Sequence, residues 1–248
     1  MRQLQALIFD VDGTLADTER DGHRVAFNRA FDEAGLDWNW SAELYGELLY
    51  VAGGKERIRF YLEKYRPEIT IPDDGFIVSL HANKTKHYRE ILAGGEIPLR
   101  FGVKRLIEEA RREGVRLAIA TTSALPNVTA LLEQTLDPSW FEIIAAGDIV
   151  PAKKPAPDIY HYVLKEMNLD AKDCLVIEDS HHGLLASRGA SLPTVVTFND
   201  YTQGHDFSGA LLVVDSLGEP ELPCTVVAGQ FDDVSYLDLE TLNRLQWE

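Results

Sequence analysis

Asp10 and Asp12 stand two residues apart in Asp10-Val11-Asp12-Gly13-Thr14, directly after the apolar run Leu4 to Phe9. Two carboxylates so spaced at a strand end can face one mouth, and Gly13 permits the sharp turn that follows. Further along, Thr121, Thr122 and Ser123 offer hydroxyls and backbone N–H groups at a helix start, where anions bind well. Lys153-Lys154-Pro155 adds positive charge, and Glu178-Asp179-Ser180 adds a second carboxylate pair able to share a hard cation with the first. A phosphoryl centre needs a nucleophile, a positive clamp on its oxygens and a route for the leaving-group proton. These clusters supply all three. Asp10 would attack phosphorus as a carboxylate; Asp12 would protonate the leaving oxygen and then help activate water. Magnesium, held by Asp10, the main-chain oxygen of Asp12 and Asp179, would screen carboxylate from phosphate.

The elements that must position these groups are short apolar runs bounded by turn residues. They are Leu4 to Phe9, Val115 to Ala120, Ile143 to Ala146, Cys174 to Ile177, Thr194 to Phe198 and Leu211 to Val214. Between them lie helical patterns at Val103 to Arg112, Asn127 to Thr135, Pro157 to Met167 and His182 to Arg188. Strands alternating with helices predict a doubly wound, Rossmann-like parallel sheet, an α/β core whose reactive groups gather beyond the carboxyl ends of the strands. From Asp17 to about Ala93 the alternation stops and helical spacing takes over, as in Val25, Ala26, Ala30, Phe31 and Ala34. This predicts an inserted α-helical cap over 17–93, with the core formed by 1–16 and 94–248. Residues 14–18 would form the outgoing hinge, and Gly94, Gly95 and Pro98 the return. Beyond Leu217 the acidic tail reads as an edge hairpin with a short terminal helix.

At 248 residues, 45% hydrophobic and 26% charged, the chain has the balance of a folded globular protein. A formal net charge of -16 argues against nucleic acid as partner, and it requires any phosphate site to carry its own positive charge. Cys174 and Cys224 stand far apart without a CxxC pair, which fits a reducing compartment. Neither a signal-peptide pattern nor a membrane-spanning run is evident, so the expected location is cytoplasmic, with no membrane partner and a monomeric state.

Asp10-Val11-Asp12-Gly13-Thr14, Thr121, Lys154 and Glu178-Asp179 match, in order and setting, the four motifs of the haloacid-dehalogenase-like hydrolase superfamily, and the likeness spans Leu4 to about Thr197. The resemblance implies Asp10 as nucleophile, Asp12 as acid and base, Thr121 and Lys154 as phosphoryl binders, and Asp179 with Glu178 at Mg2+. It also implies a helical cap inserted just after the first motif. Thr14 stands where phosphatases of the superfamily carry Thr, whereas sugar phosphomutases of the beta-phosphoglucomutase kind carry a small apolar residue. Hydrolysis is therefore expected, with mutase action as the alternative.

Within the cap, Asp17-Thr18-Glu19, His23, Trp38, Trp40 and Gly53-Gly54-Lys55-Glu56-Arg57-Ile58 resemble the branch that hydrolyses xylulose 1,5-bisphosphate. That likeness implies a small phosphorylated sugar as substrate. Lys55 and Arg57, beside Gly54, would hold a distal phosphate, with Glu19, His23, Tyr45, His81 and Lys84 near the sugar. One departure is Phe101 before Gly102, where many relatives carry Pro. Simpler readings stand beside these. Asp-Gly is a common turn former, Thr121 to Ser123 could cap a helix, and Trp38 and Trp40 read as packing rather than ligand stacking. His181 and His182 lack partners at ligand spacing in the sequence and read as rim residues.

Overall fold

The computed structural model describes residues 4–51, 53–69, 73–95, 97–231 and 234–246. The chain divides into two compact units, one made of residues up to Asp17 and from Pro98 onward, the other of Thr18–Ile97. The inserted unit thus runs past Ala93, the end expected from sequence. Ile97 belongs with it because its Cδ1 lies 2.6 Å from where a Cβ on Gly22 would stand, so the return segment packs inside the insert.

The first unit is built on a sheet whose strands, among the described residues, are β1 (Ala6–Phe9), β2 (Arg116–Thr121), β3 (Ile143–Ala146), β4 (Cys174–Glu178), β5 (Thr194–Thr197), β6 (Leu212–Val214) and β7 (Val226–Gly229). Their order is β3-β2-β1-β4-β5-β6-β7; every pairing is parallel except β6 with β7, so the tail beyond Leu217 adds one antiparallel edge strand, β7, in place of the expected hairpin. β1, β4 and β5 are buried at every position, as strands covered on both faces must be, and each buried Val, Leu, Ile or Phe contributes about 1.5–3 kcal/mol. α5 (Val103–Arg112), α6 (Leu125–Thr135), α7 (Asp158–Met167) and α8 (His181–Gly189) supply that cover, and α9 (Leu239–Arg244) packs on α5. Cys174 lies in the core with Ile8, Val176 and Tyr160. The chain winds from β1 towards β3 on one side and from β4 towards β7 on the other. The order therefore switches between β1 and β4, and the open crevice of such a sheet lies there. Register pairs Phe9 with Ile177 and with Ile119, so the residues that leave β1 and β4 emerge side by side.

The second unit holds one π-helical turn (Glu19–His23) and the helices α1 (Arg24–Glu33), α2 (Ala42–Leu48), α3 (Gly54–Tyr65) and α4 (Asp74–Ala93). α1 packs on α4, and Phe27, Phe31, Trp38, Trp40 and Tyr61 form an aromatic core with ring centroids 4.6–5.9 Å apart. Both tryptophans are packing residues. Among the described residues no helix is long and apolar enough to cross a membrane.

Candidate active site

Asp10 extends the ladder of β1 by one step, its N–H donating to the Ile177 carbonyl at 3.0 Å, so the carboxylate inherits the rigidity of the central strand. The chain then turns back tightly: Leu15 N–H reaches the Val11 carbonyl at 2.9 Å, and Gly13 N–H the Ala16 carbonyl at 2.8 Å. Gly13 sits at φ +88°, and a Cβ there would lie 2.4 Å from Asp179 Oδ2. Only glycine lets this turn approach the second carboxylate pair.

Lys154, buried, is the hub. Its ammonium donates to Asp10 Oδ1 at 2.7 Å, to the Ala120 carbonyl at 2.8 Å and to Glu178 Oε1 at 2.5 Å. Lys153 instead faces Asp148 at 3.1 Å. Glu178, the last residue of β4, also accepts from the Tyr160 hydroxyl at 2.6 Å, while its Oε2 receives the Asp179 N–H at 3.2 Å. A Cβ on Gly183 would stand 1.9 Å from that oxygen, so α8 can begin here only with glycine at this position. Asp12 is half-buried, and its Oδ2 accepts from the Ser123 hydroxyl. Thr121 is buried at the end of β2 with its Oγ1 accepting the Ser123 N–H at 3.1 Å, and Thr122 is half-buried beside it. The N-cap of α6 is Ala124, without a side-chain bond. The hydroxyls of 121–123 therefore do not serve as a helix cap; Ser123 serves Asp12.

Asp10, Glu178 and Asp179 form a buried group whose oxygens lie within 4.8 Å of one another. Burial, opposed by Lys154 and reinforced by Glu178, pushes Asp10 from 3.8 up to about 7. Burial and the neighbouring Asp10 and Glu178 raise Asp179 well above the carboxylate range, with Arg100 and Asn199 pulling it partly back. Burial opposes the charge on Lys154, yet Asp10 and Glu178 carry its pKa above the ordinary lysine value. Three carboxylates, two of which, Asp10 and Glu178, share the Lys154 ammonium, leave a negative surplus in a dry place, the setting that a hard, oxygen-seeking dication fits. Asp10 and Asp179 would hold it, with the main-chain oxygen of Asp12. The oxygens of Glu178 are already engaged by Lys154, Tyr160 and the backbone. This metal-capable group contains no histidine; His181, at the start of α8, donates from Nδ1 to the Asp206 carbonyl at 2.6 Å.

In the inserted unit the structure brings together some of the residues read from sequence. The Tyr45 hydroxyl donates to Glu19 Oε2 at 2.5 Å and accepts from the Arg57 guanidinium at 2.8 Å. The Lys84 ammonium lies 2.8 Å from His23 Nδ1, over the rings of Phe27 and Tyr88. Gly54 stands against His81, whose Nε2 is 2.4 Å from where a Cβ would be. Lys55 and Arg57 are not brought together. Two residues apart on α3, they leave the helix about 160° apart around its axis, Lys55 half-buried and Arg57 buried.

Three participants escaped the sequence reading: Tyr160, Asn199 and Arg100. Asn199 lies just beyond β5 and donates to Asp179 Oδ2 at 2.7 Å. The strand-end rule, applied to β5 as to β1, β2 and β4, points to it. Tyr160 lies on the buried face of α7, where a phenol needs a partner. Arg100 carries no such signal.

A family profile described as haloacid dehalogenase-like hydrolase matches residues 4–191. The chain is 50% identical over 225 residues to Protein CbbY (plasmid) of Cupriavidus necator, a match covering 89% of this chain and 88% of that one. CbbY from Rhodobacter sphaeroides in complex with phosphate superposes with a TM-score of 0.81 at 44% identity, covering 86% of this chain and 95% of the other. A mutant of that protein in complex with xylulose-(1,5)bisphosphate gives the same figures.

Proposed function

The chain belongs to the haloacid dehalogenase-like hydrolases, and on that premise we propose that it is a Mg2+-dependent phosphatase acting on a small sugar phosphate, with xylulose 1,5-bisphosphate the first candidate. The observation that carries this reading is the contrast between its two aspartates. Asp10 is buried and locked by Lys154, as a nucleophile must be aimed, whereas Asp12 is half-buried and bonded by the Ser123 hydroxyl, where it can exchange protons with substrate and water.

Asp10 attacks phosphorus and becomes the aspartyl phosphate, while Asp12 gives its proton to the departing sugar oxygen. Asp12 then takes a proton from the water that cleaves the acyl phosphate and restores Asp10. Lys154, with the Thr121, Thr122 and Ser123 segment, binds the phosphoryl oxygens. A divalent cation bound at Asp10 and Asp179 supplies charge neutralisation between carboxylate and phosphate. Asp12 has no role in dehalogenation, and Thr14 favours water over a second sugar hydroxyl as acceptor. Selection of the sugar is assigned to Glu19, His23, Tyr45, Arg57, His81 and Lys84 of the inserted unit. The likeness to CbbY, crystallised with xylulose-(1,5)bisphosphate, supports that substrate class.

The test is phosphate release over a panel of sugar mono- and bisphosphates, with xylulose and ribulose bisphosphates side by side, with and without magnesium. Release of inorganic phosphate that requires the cation is expected. Isomerised sugar phosphate without free phosphate would point to a mutase, and preference for monophosphates would remove any distal-phosphate role of Arg57.

A further inference from the structure

Arg100 follows the return of the chain from the insert. Its backbone N–H donates to the Leu15 carbonyl at 2.9 Å, beside a bridge between Ala16 and Leu99, so the outgoing and returning segments pair at their base. The side chain, only 8% exposed, fans across the top of the sheet. One terminal nitrogen donates to the carbonyls of Gly13 and, at 2.8 Å, Thr197. The other reaches Phe198 at 2.5 Å and Asp215 at 2.7 Å, and Nε lies 3.3 Å from Asp17 Oδ1. These carbonyls stand where β1, β5 and β6 run out and the ladder no longer satisfies them. A planar five-donor fork can serve them together; a lysine cannot.

Gly13 is where this fan meets the carboxylates. Its carbonyl also accepts from Asn199 Nδ2 at 3.4 Å, and the same amide donates to Asp179 Oδ2 at 2.7 Å. Asn199 cannot be flipped without loss, because its Oδ1 accepts the Tyr201 N–H at 2.9 Å while its own N–H bonds Thr202 Oγ1 at 2.9 Å.

We infer that Arg100 is a positioning residue for the cation site: through the Gly13 carbonyl and Asn199 it fixes the Asp12–Thr14 turn and Asp179 relative to each other. The inference rests on the reading of Asp10 and Asp179 as cation ligands. Charge and geometry act in opposite directions here, which makes the idea testable. Loss of the Arg100 charge alone would tighten binding of a dication, whereas loss of its hydrogen bonds would loosen it.

The experiment measures Mn2+ binding to the free enzyme by electron paramagnetic resonance, alongside kcat, KM and melting temperature, for Arg100→Lys, Arg100→Met, Asn199→Ala and Asp179→Asn. Both Arg100 variants are expected to bind Mn2+ at least about tenfold more weakly and to lose kcat with little change in KM, as disruption of groups that orient metal ligands does. Asn199→Ala should weaken binding in the same way, and its effect should be less than additive with Arg100→Lys. Tighter binding by Arg100→Met, or a lower melting temperature in Arg100→Lys with Mn2+ affinity and kcat intact, overturns the inference. If the Arg100 variants do not fold, unchanged Mn2+ affinity in Asn199→Ala overturns it. Strong binding by wild type that is lost in Asp179→Asn upholds the cation site independently. Asp179→Asn binding as tightly as wild type would remove the site and the inference together.

Discussion

At the mouth of the sheet three buried carboxylates lie together, two of them on the ammonium of Lys154, whereas in the inserted unit two buried cations, Arg57 and Lys84, are held by Glu19, Tyr45 and His23. The first set carries a surplus of carboxylates and the second a surplus of buried cations. They differ in construction too. The carboxylates are held by strand ends whose register leaves little freedom, with Gly13 and Gly183 admitting no other side chain nearby. The cations of the insert come from separate helices and are held mainly through side-chain bonds, with one from Arg57 to the Val51 carbonyl. Groups fixed at strand ends keep their aim, whereas groups joined through long side chains can adjust.

The sharpest way to break this contrast is Asp10→Asn. Turnover should fall by at least about 10^4-fold, the scale on which loss of a nucleophile acts. The cation-free fold should melt no lower than wild type, because Asn relieves the carboxylate surplus; phosphate release and thermal melts decide both points. Lys154→Met removes the one ammonium and leaves buried charge uncompensated. It should destabilise the protein by about 3–5 kcal/mol in chemical denaturation and abolish activity as well. In the insert, Tyr45→Phe removes the hydroxyl that bonds both Glu19 and Arg57. It should lower kcat/KM for the preferred sugar phosphate by about tenfold, the loss of one charge-assisted hydrogen bond, while leaving hydrolysis of a small aryl phosphate unchanged. An equal loss on both substrates would make Tyr45 a structural residue. The smallest effect is on pH. Asp10 binds its proton more tightly in the folded state, about 7 against 3.8, so cation-free stability should decline as pH rises through that interval. Magnesium should reverse the decline; melting curves in chelator and in magnesium at pH 4 to 8 measure it.

How legible the site was depends on where each residue lies. Asp10, Asp12, Thr121, Lys154, Glu178 and Asp179 each follow a short apolar run, and in a parallel sheet that position alone places them in the crevice. The same reading located every strand of the sheet's parallel part to within two residues at either end. Thr121 and Glu178 prove to be the last residues of their strands rather than the first beyond them. α6 begins at Leu125 and not Asn127, since Pro126 is tolerated in a first turn.

The sequence by itself determined the doubly wound core, the helical nature of the insert and the candidates for the reacting groups, because these follow from apolar periodicity and from residues adjacent in the chain. Only the tertiary structure decided which groups hold them. Arg100 bonds residues up to 115 positions away, and Tyr160 reaches Glu178 from a helix. Those relations depend on register, helix rotation and the burial of orphaned carbonyls, and a linear pattern carries no information about a donor that must cross the sheet to find its acceptors.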